Sequence, residues 1–179
     1  YSNHFWNTFQ LNMTAGTLNL GVGTGGTTNE WHSPTITTSA SSSTATIAAI
    51  DTGAVMRLRD GTHATFNIAD GAAAIDLSVT AAITQSGGTS NLTKTGAGLM
   101  QISGVNAYTG TTTISGGTLR VSGSGSLNSG NYAGNISNSG VFEFTSSAAQ
   151  TLSGIISGTG SLTKSTGTGT LTLSGNNTF

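Results

Sequence analysis

The sequence contains no cysteine, a single proline, few charged residues and no long apolar run. Without cysteine, the chain of 179 residues has neither a disulfide framework nor a thiolate metal site. Only 6% of its residues are charged, against about 25% in a typical soluble domain. The five basic residues are too few and too scattered to displace counterions from a nucleic acid. No apolar stretch approaches the roughly 20 residues of a membrane-spanning helix, so no transmembrane segment is predicted.

What the chain does contain is glycine, serine and threonine, which together make up nearly half of it. Hydrophobic residues, at 35%, are too frequent for a disordered linker, and a net charge of −1 is too small to keep the chain extended. Apolar residues alternate with polar ones, as where Leu119 and Val121 flank Arg120. This alternation predicts short, half-buried strands with Gly, Ser or Asn at the corners between them.

Similar strands recur along the chain at spacings of 19 to 23 positions. The recurring apolar positions are Met100, Leu119 and Phe142 in the C-terminal half, and Met56 with Ile75 and Ile47 with Phe66 in the N-terminal half. Short strands at a period near 20 are typical of a solenoid, in which stacked coils bury one continuous apolar column. The sequence therefore predicts an all-β parallel β-helix (β-solenoid) spanning residues 1–179, with about eight rungs of roughly 19–23 residues.

The same register predicts where the charged side chains meet. Arg57 and Asp76 are 19 positions apart, so they should lie on adjacent rungs of the outer face and form a pair. Asp51 and Asp70 share that spacing at a corner, where stacked carboxylates would need water or a cation between them. They are the one candidate calcium site, and two solvated carboxylates are the alternative. No cofactor is predicted.

One phrase occurs twice. Residues 92–122 contain "LTKTGAG", "SGVNAYTG" and "TTTISGGTLRVS", and residues 154–179 read "GIISGTGSLTKSTGTGTLTLSGNNTF". A degenerate third copy is "NTFQLNMTAGTLNLG" near the start. In order and composition these stretches resemble the autotransporter passenger-associated β-strand repeat of Gram-negative surface proteins. The second copy departs by one residue, with Ser165-Thr166 where the first has Thr95 alone.

This resemblance implies a right-handed parallel β-helix that is secreted or displayed on the bacterial cell surface. It also implies the role of an adhesin or passenger stalk, whose partners would be a host surface, matrix or glycan. Lys94 and Lys164 recur at the same point of the phrase and are predicted to be solvated corner residues.

Enzymatic activity is weighed against this structural role. Glycoside hydrolysis usually needs two carboxylates, and four of the six acidic residues lie between positions 51 and 76, beside Arg57 and Arg59. The corners there are too tight to build a cleft, so we predict a solvated outer face and no catalytic residue. A polysaccharide-active enzyme and an ice-binding solenoid with threonine ladders remain alternatives. The "GVGTGG" stretch at 21–26 is interpreted as a loop, because no helical pattern follows it.

Aromatic residues concentrate in an N-terminal rung or cap with a Gly-rich loop, residues 1–35. They form either a cap over the open end of the solenoid or a contact surface for another chain. The sequence stops at "SGNNTF", where the first copy continues, and its start resembles that continuation. Head-to-tail stacking into an extracellular fibre and a fragment of a longer passenger both fit this pattern. The candidate interaction residues are Tyr1, Phe5, Trp6, Phe9, Trp31, Arg57, Arg59, Asp76 and Phe179.

Overall fold

The structure is a computed structural model that describes residues 10–22 and 29–179. Within these residues the chain forms twenty short strands and one 3-10 turn, Asn128–Gly130. The strands of the first part are β1 (Gln10–Met13), β2 (Gly16–Leu20), β3 (Asn29–Trp31), β4 (Thr35–Thr38), β5 (Ala45–Ala49), β6 (Val55–Arg59), β7 (Ala64–Ile68), β8 (Leu77–Val79) and β9 (Ala82–Ser86). Those of the second part are β10 (Leu92–Thr95), β11 (Leu99–Ile102), β12 (Thr112–Ile114), β13 (Thr118–Val121), β14 (Asn131–Tyr132), β15 (Ile136–Asn138), β16 (Val141–Phe144), β17 (Gln150–Leu152), β18 (Ile156–Ser157), β19 (Ser161–Lys164) and β20 (Leu171–Leu173).

The strands line three sides, which the chain visits in the same order on each coil. Sheet 1 contains β1, β4, β7, β10, β12, β15 and β18, and sheet 2 contains β2, β5, β8, β11, β13, β16 and β19. The third side carries sheet 3, with the order β3-β6-β9, and sheet 4, with the order β14-β17-β20. Every strand pair is parallel, from β1 with β4 to β17 with β20. The prediction of an all-β parallel solenoid is therefore confirmed.

The number of coils is partly visible in the two long sheets. Each contains seven strands in the described part of the chain. An isolated parallel bridge between Ser157 and Thr178 starts one more pass along sheet 1. The predicted total of about eight rungs and the right-handed sense of the coil stay predictions.

Coil length differs between the two halves. In the C-terminal half the predicted spacing is confirmed, because Met100 pairs with Leu119, 19 positions later, and Leu119 pairs with Phe142, 23 positions later. In the N-terminal half the predicted spacing of 19 is wrong. Met56 pairs with Ile83, 27 positions later, so the coils there are longer.

The error in the N-terminal half has a geometric cause. Ile47 lies on sheet 2, whereas its predicted ladder partner Phe66 lies on sheet 1. Met56 lies on sheet 3, whereas Ile75 leads into sheet 2. In a long coil, 19 positions carry the chain only to another side. All three sides show the same alternation of apolar and polar residues, so alternation alone does not tell one side from another.

Inward-facing side chains form the predicted apolar column. On sheet 2, Leu77, Met100, Leu119 and Phe142 are successive ladder partners, and none of them is exposed to solvent. Fully burying one such side chain contributes about 1.5–3 kcal/mol. The repetition of this contact from coil to coil is therefore a main source of stability in a fold without disulfides.

The third side changes character between sheets 3 and 4. Residues 103–111 form no regular strand, and the side-chain amide of Asn106 replaces part of the ladder. Its Oδ1 accepts a hydrogen bond from the backbone N–H of Ile83 at 2.9 Å. Next to it, the buried rings of Tyr108 and Tyr132 meet edge to face at 5.8 Å, and both hydroxyls contact Thr112 Oγ1. Polar groups inside this part of the solenoid are thus paired with one another.

Candidate interaction surfaces

The structure describes only one residue of the predicted aromatic contact surface at the N-terminus, Trp31. Tyr1, Phe5, Trp6 and Phe9 lie outside the described residues, so their role as cap or contact stays a prediction. Trp31 lies on β3, where it is 7% exposed and belongs to the core. Its ring therefore packs inside the first coil and does not present an outer contact.

Two predicted interaction residues, Arg57 and Arg59, lie in a charged cluster on sheet 3 that also includes Glu30 and Asp60. Glu30 is the direct ladder partner of Arg57. The Nη1 atom of Arg59 lies 2.5 Å from Glu30 Oε2, and its Nε lies 3.2 Å from Asp60 Oδ2. The hydrogen bond to Glu30 raises the pKa of the Arg59 guanidinium. The cluster therefore compensates most of its own charge on the surface.

The predicted pairing of Arg57 with Asp76 is wrong. Asp76 precedes β8 on the way to sheet 2, whereas Arg57 lies on sheet 3. The Asp76 carboxylate is 7% exposed and accepts hydrogen bonds from the backbone N–H groups of Gly71 at 2.9 Å and Leu99 at 2.8 Å. Asp76 thus closes a corner of the solenoid. The charged partner of Arg57 is Glu30, 27 positions earlier and at a distance of 3.9 Å.

The predicted stacking of Asp51 on Asp70 is also wrong. Asp51 follows β5, between sheets 2 and 3, whereas Asp70 follows β7, between sheets 1 and 2. Asp51 Oδ2 accepts a hydrogen bond from the backbone N–H of Val22 at 2.9 Å. Among the residues that the structure describes, no group of three or more acidic, histidine or cysteine side chains is placed to hold a metal ion.

Lys94 is not the solvated corner residue that was predicted. It points inward from β10, between ladder partners on β7 and β12, and none of it is exposed. Its ammonium group donates to three backbone carbonyls, those of Thr95 at 2.9 Å, Gly96 at 2.8 Å and Gly116 at 3.1 Å. The first two belong to its own corner, and the third belongs to the next coil. A charged group is thus held in the core by a cage of carbonyl oxygens.

The surroundings of the cage disfavour the charged form of Lys94. Burial lowers the pKa of the Lys94 ammonium group to about 8, and the negative charge of Asp76 acts in the opposite direction. The sequence did contain a signal for this position. Lys94 has the same parity along its strand as Leu92, so strand alternation places both side chains inside.

Lys164 holds the same place in the second copy of the phrase, but its surroundings differ. It is exposed, as predicted, and its Nζ donates to the carbonyls of Thr166 at 3.2 Å and Gly167 at 2.7 Å. Both carbonyls belong to its own corner. The equivalent of Gly116, which the next coil supplies to the first copy, has no counterpart in the described chain.

The last coil exposes side chains that are buried one coil earlier. Leu162 is the ladder partner of Phe142, and Leu173 is the ladder partner of Leu152. Leu173 is 40% exposed, whereas Leu152 is 1% exposed. We call this the C-terminal end surface, which comprises Leu162, Lys164, Leu171, Leu173 and Phe179. Of the predicted interaction residues, Phe179 belongs to it and is 55% exposed.

Comparison with protein families identifies the repeated phrase in two segments of the chain. Residues 92–121 and 162–179 match the family model described as Passenger-associated-transport-repeat. The predicted resemblance is confirmed in both segments, although the second match begins at residue 162 and not at 154. The repeat is found in autotransporter passengers and implies a secreted or surface-exposed protein.

Neither the curated proteins nor the solved structures contain a match to the chain. In the described part of the chain, no helix is long and apolar enough to cross a membrane.

Proposed function

We propose that this chain is a non-enzymatic, structural segment of a bacterial passenger, acting as a stalk that holds other parts of a surface protein away from the cell. The observation that carries the proposal is the pair of seven-strand parallel ladders that enclose one apolar column. Each coil adds a fixed rise of about 4.8 Å and packs against both of its neighbours. Length is therefore proportional to the number of coils, which is the property that a spacer needs.

The outer face also supports a structural role. Its three arginines are paired with carboxylates, as in the contact between Arg120 Nε and Glu143 Oε2 at 2.7 Å. These two residues are ladder partners on β13 and β16. A surface whose charges are already compensated keeps the rod soluble without selecting a ligand.

Removal of one whole coil tests the proposal. Thr112 pairs with Leu92, and Ile136 pairs with Thr112, so deletion of residues 112–135 joins two coils in register. We expect this variant to fold and to give a rod that is shorter by about 5 Å. With the chain displayed on a Gram-negative cell through an export signal and a translocator, an N-terminal epitope tag should remain accessible to antibody. Deletion of residues 112–123 is the control, because it places sequence from one side on another and should prevent folding.

A different result would assign a different function. Binding to a matrix protein or glycan that cells gain with the intact chain and lose with the coil deletion would identify an adhesin. Release of soluble sugars from a polysaccharide by the intact chain would identify an enzyme. Unchanged behaviour of the displayed protein apart from its length supports the stalk.

A further inference from the structure

The outer face of sheet 1 carries a column of hydroxyl side chains that continues from coil to coil. Thr35 pairs with Thr65, Thr65 pairs with Thr93, and Thr93 pairs with Thr113. Ser137 is the next ladder partner after Thr113. Each of these side chains points away from the core, because its neighbours along the strand are buried. Five successive coils therefore place a hydroxyl group at the same position on this side of the solenoid.

A second column runs beside the first, two residues further along each strand. Thr37 pairs with Asn67, and Asn67 pairs with Thr95. The Oγ1 atom of Thr95 donates to Asn67 Oδ1 at 3.2 Å, so these two members of the column hold each other in place. The columns lie about 6.6 Å apart along the strand, and their members repeat about every 4.8 Å from coil to coil. We call this two-dimensional set the threonine array, which comprises Thr35, Thr37, Thr65, Asn67, Thr93, Thr95 and Thr113.

The threonine array is uncharged, although charged residues lie on the other sides of the solenoid. All acidic and basic residues of the sequence belong to the described part of the chain, and none of them points outward from a strand of sheet 1. Arg57 and Arg59 lie on sheet 3, and Arg120 and Glu143 lie on sheet 2. Lys94 lies on sheet 1 but points inward. The array therefore offers no charge that would select an ion or a charged polymer.

The array also has no aromatic anchor. Phe66, on β7, points into the core and is fully buried, and no other described strand of sheet 1 contains an aromatic residue. Aromatic rings are typical anchors of a protein interface, and their faces are the usual platform for a sugar ring. A neutral, ring-free array of hydroxyl groups is suited instead to water.

The positions of the hydroxyl groups are fixed by the fold. A β-branched side chain has few rotamers on a strand, and the parallel ladder sets the distance from one coil to the next. Sheets stay flat over many strands where side-chain ladders stabilise them. Thr35, Thr65 and Thr93 are partly exposed, so their hydroxyl groups reach solvent. Water bound to them takes up positions that the array sets.

We propose that the threonine array binds ice, by holding a layer of water in positions that an ice surface continues. The two spacings of about 4.8 Å and about 6.6 Å are comparable with the distances at which oxygen positions repeat on faces of hexagonal ice. A threonine hydroxyl donates one hydrogen bond and accepts two, so it joins a water network without disrupting it. The methyl groups between the hydroxyl groups exclude loosely held water. A rod with this face adheres to ice along its side.

Partition of the purified chain into ice tests the proposal. A dilute solution of the whole chain is frozen slowly around a cold probe, and the protein in the ice is compared with the protein left in the liquid. We expect the natural chain to enter the ice and to slow the growth of ice grains during annealing. Exclusion of the natural chain from ice, to the same extent as a globular control protein, would overturn the proposal.

A bulky substitution in the centre of the array locates the activity. Thr93→Tyr places a ring above the first column and prevents ice from approaching the neighbouring threonines, while tyrosine is well tolerated on strands. We expect this variant to lose most of its partition into ice. The matched control is Ser78→Tyr, because Ser78 is the outward residue of β8 on sheet 2, between ladder partners Thr46 and Gln101. It should enter ice as the natural chain does.

Circular dichroism at the same temperature establishes that both variants are folded. Thr113→Lys, on a neighbouring coil, is a second disruption of the array, by charge, and should reduce partition in the same way. Equal partition of the sheet 1 and sheet 2 variants would overturn the proposal, because the activity would not depend on the array.

A second ligand completes the test. Depletion of the natural chain by insoluble cellulose or chitin, without partition into ice, would identify a polysaccharide as the occupant of this face and would also overturn the proposal. None of these outcomes affects the proposed stalk function, which rests on the inward side chains and the strand ladders.

Discussion

The two copies of the repeated phrase take the same contacts from the coil before them and differ in what the coil after them supplies. In the first copy, Asn106 Oδ1 accepts the backbone N–H of Ile83 at 2.9 Å. In the second copy, Asn177 Oδ1 accepts the backbone N–H of Ile156 at 2.8 Å. These bonds reach back by one coil, and each copy has such a coil behind it. The contacts of each copy with the coil before it are therefore the same.

The contacts of each copy with a coil after it are different. Lys94 is buried and bonded to three carbonyls, whereas Lys164 is exposed and bonded to two. Tyr108 is fully buried, whereas Phe179, at the equivalent position, is 55% exposed. The same residues thus form core or surface according to the presence of a following coil. A solenoid coil is completed by its successor, which is why stability in such folds resides in interfaces between repeats.

The largest effect should come from breaking a backward contact. A Cβ at Gly96 would lie 2.2 Å from the carbonyl oxygen of Ile68, and the backbone there has a φ of +76°. Gly96→Ala should therefore lower the free energy of unfolding by about 3 kcal/mol or more, from strain and overpacking together. Gly53→Ala is the control, since its φ is +88° but nothing lies within 4 Å of the added Cβ. It should cost about 1 kcal/mol, measured for both by urea unfolding followed by circular dichroism.

The second copy extends this test. A Cβ at Gly167 would lie 2.1 Å from the carbonyl oxygen of Thr145, so the local clash is as severe as in the first copy. Since only the last coil depends on that contact, Gly167→Ala should make this coil sensitive to protease while the rest stays folded. Equal losses of global stability at Gly96 and Gly53 would show that the stacking contact is not limiting.

A smaller effect should come from removing the ammonium group of Lys94 and its three hydrogen bonds. Lys94→Met keeps an apolar side chain of similar length but leaves three carbonyls without their donor, at a cost of about 3 kcal/mol or less. Lys164→Met should give no measurable change in the unfolding midpoint, because water already reaches that ammonium group. The measurement is the difference in urea midpoint between each variant and the natural chain. A midpoint for Lys94→Met equal to that of Lys164→Met would show that the carbonyl cage contributes nothing.

The comparison also shows how far the sequence could predict the structure. The parallel solenoid and the register from Met100 to Phe142 follow from periodicity, because short coils leave no room for an alternative spacing. The burial of Lys94 was not predicted, because a charged residue is almost never fully buried. Its position on the strand, two residues after Leu92, nevertheless indicated an inward side chain. Its partner carbonyls are backbone atoms of a glycine corner, and side-chain patterns contain no information about them.

Charge pairing in the N-terminal half could not be predicted for another reason. The partner of Arg57 depends on the length of the coil between Glu30 and Arg57, and that length depends on corners such as the one between β5 and β6. Corners are built from Gly, Ala, Ser and Asp in varying number, so a single sequence does not fix how many residues they contain. The predicted spacing of 19 is eight positions shorter than the observed spacing of 27, and this error places Asp76 on the outer face beside Arg57 when it lies at the corner before sheet 2.

The smallest predicted effect is the pH dependence that the buried lysine introduces. The pKa of Lys94 falls from 10.5 to about 8 on burial, so between these values the unfolded chain binds more protons than the folded chain. The free energy of unfolding should therefore rise as the pH increases from about 8 towards 10.5. Burial raises the pKa of Tyr132 to about 12 and that of Tyr108 well above its usual value. These tyrosines oppose the trend only above about pH 10, where they would ionise in the unfolded chain.

The measurement is therefore made between about pH 8 and 9.5. The quantity followed is the free energy of unfolding of the natural chain minus that of Lys94→Met. This difference should grow across the window by less than the equivalent of one proton, because the folded core favours the neutral amine. The three carbonyl bonds act in the opposite sense, since a neutral amine has only two N–H donors for three acceptors. A difference that shrinks as the pH rises would show that the cage holds the proton more strongly than burial releases it. In that case the cage of three carbonyls, and not desolvation, sets the charge state of Lys94.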